Sequence, residues 1–167
     1  MSLTNNPLLQ AFNEAPFSTI KDEHFKPAFE EAIRLSRKEI DDIATSDEPA
    51  TFTNTIAALD YAGQQLDRIS SVFFNLNSAE TSEAIQKIAQ EVSPLLTAFS
   101  NDVTLNEQLF ARIQDIYAQK DSLDLTVEEK TLLDKKYKSF SRNGANLPKD
   151  KKSRLREIDE EQAKLKL

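Results

Sequence analysis

The chain has 167 residues and a formal net charge of −7, with 39% hydrophobic and 29% charged residues, which is the composition of one globular domain. The absence of cysteine excludes disulfides, thiolate metal ligands and thiol nucleophiles. No apolar run approaches the roughly 18 residues of a membrane span, and two glycines against six prolines indicate long elements with few tight turns.

Prolines interrupt the first part of the chain, and we predict an irregular leader over residues 1–20, followed by a helical region over residues 21–167. The first helix is predicted to begin near Asp22 and to end near Thr45. Pro27 is tolerated in its first turns, where backbone amides have no helical partner to lose. The apolar residues expected to pack are Leu8, Leu9, Phe12 and Phe17 in the leader, and Phe25, Phe29, Ile33, Ile40 and Ile43 in the helix.

The second helix is predicted to run without interruption over residues 53–77. Thr51, Thr53 and Thr55 offer hydroxyl N-caps before an apolar series that recurs every three or four residues. Gly63 falls inside this helix at a cost of about 1 kcal/mol relative to alanine, so another helix is expected to approach closely there. The apolar series is Ile56, Leu59, Leu66, Ile69, Phe73 and Leu76.

The third helix is predicted to start after Ser78 or Thr81. Pro94 in its interior removes one backbone hydrogen bond, which predicts a kink near Gln90. Its apolar face is predicted to carry Ile85, Ile88, Val92, Leu95, Leu96 and Phe99.

Three further helices follow from local capping signals. Asn106 caps the fourth, and Thr126 with Glu129 forms a capping box for the fifth, which Gly144 closes at C′. The sixth opens around residues 148–150. Their apolar faces carry Leu109, Phe110, Ile113, Ile116 and Tyr117, then Leu132, Leu133, Tyr137 and Phe140, then Leu155, Ile158 and Leu165.

These elements predict an all-α fold, a multi-helix bundle of about six helices after the leader and without a sheet. The last helix stops at Leu167 in mid-pattern without a C-cap. A truncated helix has this pattern, so we expect residues 1–167 to be a fragment of a larger protein.

The residue inventory argues against most catalytic sites. A zincin site needs two imidazoles at i and i+4, but His24 is the single histidine, and Lys21 stands where a Glu-x-x-His motif would need glutamate. Gly63 and Gly144, the only glycines, exclude a Gly-rich phosphate loop. Paired carboxylates stay open, because their function depends on burial and separation. We predict no catalytic, cofactor-binding or metal-binding residue here and leave substrate-binding residues unassigned.

Charge is distributed unevenly: residues 1–125 hold 9 Lys and Arg against 20 Asp and Glu, whereas residues 126–167 hold 12 against 8. The structural interpretation of the basic part is a solvated pair of helix faces with the loop between them, attracted weakly to the acidic body. The functional interpretation is a positive strip that faces a channel and attracts peptide carboxylates. Nucleic acid is disfavoured by the total charge of −7. The basic cluster comprises Lys135, Lys136, Lys138, Arg142, Lys149, Lys151, Lys152, Arg154 and Arg156.

Some conspicuous side chains have both a structural and a functional interpretation. Phe73-Phe74 is expected to place one ring in the core and the other about 100° round the helix, where it packs against a neighbouring helix or, as the alternative, forms a wall of a peptide pocket. His24 is expected to be a hydrogen-bonded structural histidine rather than a catalytic one. The tyrosines are predicted to be core rings with their hydroxyls reaching solvent. They are Tyr61, Tyr117 and Tyr137.

Six segments carry a further signal through their order along the chain. They are Pro7-Leu8-Leu9, Pro16-Phe17, His24-Phe25-Lys26-Pro27-Ala28-Phe29-Glu30, the stretch from Pro49 to Ile85, Asn106-Glu107-Gln108-Leu109-Phe110-Ala111-Arg112-Ile113, and Phe140-Ser141-Arg142-Asn143-Gly144-Ala145. In this order they resemble the N-terminal region of the thimet oligopeptidase-like zinc metallopeptidases, most closely the peptidyl-dipeptidase (dipeptidyl carboxypeptidase) branch.

The resemblance implies an almost wholly helical parent with a deep substrate channel and a His-Glu-x-x-His zinc site in a C-terminal catalytic domain absent from this chain. The implied chemistry is attack of zinc-bound hydroxide on a peptide carbonyl, which releases dipeptides from the C-terminus of short peptides. Residues 1–167 would help wall the channel, and none of the catalytic positions has a counterpart here. The implied partners are the catalytic domain and short peptides, without nucleic acid or membrane.

Composition and periodicity alone leave a second class open, a self-contained helical protein-interaction module with no enzymatic activity. The lack of cysteine fits a reducing cytosol and equally a disulfide-free periplasmic protein. We expect a cytoplasmic protein, with the periplasm as the alternative if a signal segment has been removed.

Overall fold

The structure, a computed structural model, describes residues 5–12 and 14–165, and over these ranges every regular element is helical. This confirms the all-α prediction. Six α-helices exceed one turn: α1 (Phe25–Ala44), α3 (Gln64–Ala79), α4 (Glu83–Thr104), α5 (Glu107–Ala118), α6 (Val127–Arg142) and α7 (Lys149–Leu165). Shorter elements are a π-helix (Phe52–Ala57), the one-turn α2 (Ala58–Tyr61) and two 3₁₀ turns (Pro7–Leu9 and Asp22–His24).

Local capping signals are confirmed where they were strongest. The Asn106 side chain accepts a hydrogen bond from the Leu109 amide at 3.0 Å and starts α5. The Thr126 hydroxyl and the Glu129 carboxylate cap each other's amides at 3.2 and 2.8 Å, which completes the predicted capping box of α6. At the other end of α6, Gly144 adopts φ +96°, and the Ala145 amide bonds back to Phe140 O at 3.0 Å. This is the 6→1 bond of a Schellman motif.

The prediction of one continuous second helix is wrong. Ala62 is extended (ψ 140°) and Gly63 is left-handed (φ +81°), so the chain breaks between α2 and α3. The Gly63 amide donates to Glu39 Oε2 of α1 at 2.8 Å, which fixes the break to the neighbouring helix. Helix α1 does lie beside Gly63, because a Cβ there would meet Ser36 Oγ at 3.5 Å, an ordinary van der Waals distance.

The start of this region also differs from the prediction. Of the three threonines, Thr51 is the N-cap, with its hydroxyl accepting from the Asn54 amide at 3.1 Å. Thr53 and Thr55 instead lie inside the π-helix. Pro94 lies inside α4, as predicted, and the kink near Gln90 stays a prediction.

The buried apolar side chains form two clusters. The first, the leader-side core, joins α1, α3, α4 and the leader, with members Leu8, Phe25, Ala28, Phe29, Ala32, Ile33, Leu66, Ile69, Val72, Phe73, Ile85, Ala89 and Val92. The second, the α5–α6 core, joins the C-terminal part of α1, the π-helix, α2, α5 and α6, with members Ile40, Ala44, Ile56, Leu59, Leu109, Phe110, Ile113, Ile116, Leu133, Phe140 and Ala145. Phe99 of α4 packs against both.

Several predicted core residues are exposed instead. Phe17 of the leader is 58% exposed, Tyr61 is 70% exposed, and Leu95 lies on the solvent side of α4. On α7, Leu155 is half-buried, but Ile158 and Leu165 are exposed. Tyr117 and Tyr137 are half-buried, their rings stack at 3.8 Å, and the Tyr117 hydroxyl bonds to Asp134. Helical periodicity identifies a face, but it does not identify which faces have a neighbour.

Arg112 of α5 holds the loop between α1 and the π-helix. Its guanidinium donates to the carbonyls of Ser46 and Glu48, both at 2.9 Å, and to the side chains of Asn54 and Thr55, both at 3.3 Å. A planar guanidinium carries more N–H donors than a lysine ammonium and holds them in a fixed fork, so it can bond several acceptors that lie in different directions. Arg112 therefore links the loop, the π-helix and α5.

We expect Arg112→Ala to lower the free energy of unfolding by about 1.5 kcal/mol, because charge-assisted hydrogen bonds to the loop are lost while its carbonyls regain water. The matched control is Arg34→Ala, which removes an exposed arginine whose one ion-pair partner among the described residues is Glu31 on its own helix. Urea unfolding followed by circular dichroism measures both. An Arg34 variant destabilised as much as the Arg112 variant would contradict the assigned role.

Candidate functional site

His24 lies where the leader meets α1. Its side chain is buried, and Nδ1 accepts a hydrogen bond from the Lys21 amide at 3.0 Å. The His24 carbonyl accepts from Asn6 Nδ2 at 2.8 Å. These contacts make His24 part of the turn that opens α1, as the structural interpretation expects. Across residues 5–12 and 14–165, no group of three or more His, Cys, Asp or Glu is placed to hold a metal ion.

Phe73 and Phe74 contribute to an aromatic group with Phe25 and Phe29. Phe73 has no exposed surface, and its ring lies edge-on to Phe25, Phe29 and Phe74 with centroids 4.9, 5.4 and 5.1 Å apart. Phe74 is half-buried and packs against the same core. The geometry favours the core interpretation of both rings over the peptide-pocket wall.

The basic cluster lies on α6, α7 and the loop between them. Three of its cations reach acidic residues of other elements: Lys136 pairs with Asp60 at 2.8 Å, Lys152 with Glu107 at 3.1 Å, and Arg156 with Asp102 at 2.6 Å. These three ion pairs join the basic part of the chain to its acidic part across the fold. They agree with the interpretation of the basic cluster as solvated helix faces attracted to the acidic body.

Lys152 does not belong to an exposed positive strip. Its side chain is 7% exposed, and its ammonium donates to Glu107 at the start of α5. Lys149 and Lys151 remain exposed. A strip facing a channel would thus lack one of its predicted members.

Asp102 of α4 connects three elements. Its two carboxylate oxygens accept hydrogen bonds from Arg37 of α1 and Arg156 of α7. The Arg37 guanidinium also lies over the Phe99 ring, 5.6 Å from its centroid. This group ties the C-terminal half of α4 to its neighbours on both sides.

Asp134 of α6 is surrounded by donors. The hydrogen bond from Lys138 lowers the pKa of its carboxyl below the usual value, and the hydrogen bond from the Tyr117 hydroxyl acts in the same direction. Lys120 donates in turn to the Tyr117 oxygen at 3.1 Å, and this bond raises the pKa of the lysine. The group keeps Asp134 ionised at neutral pH, so it does not provide a general acid.

A polar cleft of about 580 Å³ opens where α4, the C-terminal end of α6, the following loop and α7 meet. Its polar walls include Asn101 of α4, Ser141 and Arg142 of α6, and Asp159 of α7, and part of its apolar wall is Leu155. Two buried polar atoms here, Asn101 Nδ2 and Ser141 Oγ, have no hydrogen-bond partner among the residues that the structure describes.

No sequence pattern predicts this cleft. Arg142 is one of nine clustered cations, Ser141 and Arg142 lie in a segment that carries the family resemblance, and Asn101 looks like an ordinary polar helix residue. Asn101 is 8% exposed. Its burial depends on the neighbouring elements, a tertiary relation that α4's own periodicity does not encode.

None of the described helices combines the length and the apolar character needed to cross a membrane.

No family model matches the chain. Relatives among characterised proteins do match it over nearly its whole length. The chain is 38% identical to dipeptidyl carboxypeptidase of Salmonella typhimurium over 167 residues, which cover 98% of this chain and 25% of that enzyme.

Two further relatives agree. Dipeptidyl carboxypeptidase of Escherichia coli is 35% identical over 149 residues, which cover 89% of this chain and 22% of the enzyme. Oligopeptidase A of Salmonella typhimurium is 31% identical over 153 residues, which cover 92% of this chain and 22% of the enzyme. The chain thus spans about a quarter of the length of these relatives and corresponds to their N-terminal portion.

Proposed function

Because the chain belongs, as a homologue of their N-terminal region, with the dipeptidyl carboxypeptidases and oligopeptidases A, we propose that it is the non-catalytic N-terminal helical domain of a zinc-dependent peptidyl-dipeptidase. In this role it helps wall the substrate channel. The parent hydrolyses short peptides and releases C-terminal dipeptides.

The proposal rests on one observation: nearly all of this chain aligns with the relative, but only a small part of the relative aligns with this chain. At 38% identity, 98% of the chain aligns to a dipeptidyl carboxypeptidase, yet the aligned part is 25% of that enzyme. The remaining three quarters of such a parent supply room for a separate catalytic domain.

The residues present do not fit a zinc site of the zincin kind. That site needs two histidines one helical turn apart, and the chain has His24 alone, with its Nδ1 already accepting a backbone hydrogen bond. No zinc ligand is therefore assigned here. Zinc belongs, in this proposal, to the catalytic domain of the parent.

The electrostatics of the described residues support a scaffold. Perturbed pKa values at catalytic sites commonly arise from burial combined with a charge partner. Here the hydrogen bond between Lys26 and Glu91 raises the pKa of the lysine and lowers that of the glutamate, at the surface. Arg154 and Glu157 form a similar exposed pair, whose hydrogen bond raises the pKa of the arginine. These shifts belong to surface pairing rather than to a prepared acid or base.

The test is to read the coding sequence past Leu167 and to assay the full-length product on an N-blocked peptide. We expect a His-Glu-x-x-His motif in a helical context and release of the C-terminal dipeptide, identified by mass spectrometry. The same peptide with a C-terminal carboxamide serves as the control and should be a poor substrate. Internal cleavage of both peptides would support oligopeptidase A activity instead. A gene that ends at this point would favour the self-contained interaction module.

We further propose that the protein acts in the cytoplasm, with the periplasm as the alternative if a signal segment has been removed, because the absence of cysteine fits both compartments. Fractionation of cells with a periplasmic marker enzyme decides between the two compartments.

A further inference from the structure

Helix α7 contacts the rest of the fold through a mainly polar face. Among the residues that the structure describes, neither the leader-side core nor the α5–α6 core includes a side chain of α7, and Lys152 is the one buried residue of this helix. Leu155 is half-buried and lies over Gly144, but Ile158 and Leu165 are exposed. Burial of apolar surface, the main driving force of folding, therefore contributes little to holding α7 in place.

The interface between α4 and α7 also contains two open gaps. The polar cleft of about 580 Å³ lies at one end, and a second gap of about 240 Å³ lies further along the two helices. The second gap is lined by Thr97, Ser100 and Asn101 of α4 and by Asp159, Gln162 and Ala163 of α7. Protein interiors are close-packed and contain few voids larger than a water molecule, so α7 is not packed on α4 as a core helix would be.

Two ion pairs join α7 to other elements. Lys152 donates to Glu107 of α5 at 3.1 Å, and Arg156 donates to Asp102 of α4 at 2.6 Å. The overall charge acts in the same direction, because residues 149–165 hold six Lys and Arg against five Asp and Glu, a charge of +1, whereas the whole chain is at −7. The remainder of the chain thus holds −8. Dissolved salt screens both attractions, since the pairs lie at or near the surface.

Separation of α7 from the bundle would leave no charge unpaired in the interior. Asp102 keeps its hydrogen bond from Arg37 on the other carboxylate oxygen, the Glu107 side chain is 70% exposed, and Lys152 regains water. Breaking a buried ion pair is costly mainly because one charge stays buried without its partner. That cost is absent here, so screening of the two pairs is enough to shift the balance between docked and separated α7.

The loop before α7 provides a hinge. Ala145 is buried in the α5–α6 core, and its amide is bonded to Phe140 O, so the chain is fixed up to this residue. Helix α7 begins at Lys149. Asn146 and Leu147, which lie between these fixed points, are exposed. A few loop residues are sufficient to absorb the dihedral changes of a hinge motion.

We propose that α7 is an ionic-strength-sensitive switch, a helix that docks on the bundle through Lys152 and Arg156 at low salt and separates from it as one unit at high salt. The motion takes place about Asn146 and Leu147. This inference concerns contacts within the chain itself and does not depend on the proposed function.

The test is amide hydrogen exchange of the ¹⁵N-labelled 167-residue chain, measured by NMR at low and high concentrations of sodium chloride. At low salt we expect the amides of residues 155–163 to exchange about tenfold faster, or more, than those of Ile69 and Phe73 in the leader-side core. High salt should accelerate exchange in α7 about three- to fivefold. Exchange at Ile69 and Phe73 should stay constant or slow down, because salt also screens the self-repulsion of a chain at −7.

Arg156→Gln should accelerate exchange in α7 about fivefold at low salt and reduce its salt dependence, since one ion pair to α4 is lost. The matched control is Arg154→Gln, which removes the same charge from an exposed arginine that pairs with Glu157 of α7 itself. Its effect should be less than about twofold. Circular dichroism verifies that both variants fold. Equal protection of α7 and the leader-side core, salt-independent exchange in α7, or equal effects of the two variants would overturn the switch.

The same variants in the full-length protein test whether the switch operates in the parent, with hydrogen exchange measured by mass spectrometry. We expect peptides that cover residues 155–163 to show the same salt dependence and the same difference between the variants. Protection of α7 that matches the leader-side core would overturn the switch, because the rest of the parent would then hold the helix in place. Peptidase activity enters neither outcome, so the proposed function can fail while this inference stands.

Discussion

Replacing Phe73 with alanine is expected to lower the free energy of unfolding by about 3–5 kcal/mol, the largest effect predicted for this chain. Phe73 has no exposed surface and stands at the centre of the leader-side core. Its ring contacts Phe25, Phe29 and Phe74 edge-on, with centroids 4.9–5.4 Å apart. The substitution removes both the transfer free energy of the ring and these aromatic contacts, and it leaves a cavity among α1, α3 and α4.

The matched control is Phe17→Ala, since Phe17 is 58% exposed and should change the unfolding free energy by less than about 0.5 kcal/mol. If Phe73→Ala does not fold, Phe73→Leu gives the same comparison at a cost of about 1–2 kcal/mol. Urea unfolding measures all three. Similar losses at Phe73 and Phe17 would show that the leader-side core is not packed as described.

The second large effect is expected at Gly144, where alanine should destabilise the chain by about 2–3 kcal/mol. Part of this comes from φ +96°, a left-handed conformation that costs L-residues about 1 kcal/mol. The rest comes from crowding, because a Cβ at this position would lie 2.7 Å from Leu155 Cδ2, 3.1 Å from Leu147 Cδ1 and 3.3 Å from Leu105 Cδ2. Leu155 must move to admit the methyl group, and Leu147 and Leu105 must each give slightly.

Gly63→Ala separates the two contributions. Gly63 is also left-handed, at φ +81°, but its nearest neighbour would be Ser36 Oγ at an ordinary 3.5 Å. Only the conformational cost should remain, about 1 kcal/mol. Equal destabilisation by the two alanines would indicate that the leucines around Gly144 yield without cost, and a stabilising Gly63→Ala would contradict the break between α2 and α3.

The sequence predicted those features whose causes are local. A capping box needs two residues three apart, so Thr126 and Glu129 identified the start of α6, and Gly144 identified its end. The break at Gly63 was missed because a glycine inside an apolar series fits a continuous helix as well as an interrupted one. What decides between them is the hydrogen bond from the Gly63 amide to Glu39, which joins residues 24 apart in sequence.

Of the candidate site, the sequence predicted only that basic residues cluster there. Counting lysines and arginines located the basic cluster, but it did not show that Lys152 is buried against Glu107 or that Arg156 shares Asp102 with Arg37. Asn101 and Ser141 became noticeable through missing hydrogen bonds, which exist only once α4, α6 and α7 are assembled. Sequence patterns describe single elements, whereas the cleft is a property of their arrangement.

Metal content and turnover of residues 1–167, measured beside the full-length protein, test the central claim most directly. After dialysis against trace zinc, we expect the isolated chain to hold no stoichiometric metal and to leave an N-blocked tripeptide intact, while the full-length protein binds zinc and releases the dipeptide. Stoichiometric zinc in the isolated chain, or turnover of the tripeptide by it, would contradict the assignment of these helices to a scaffold.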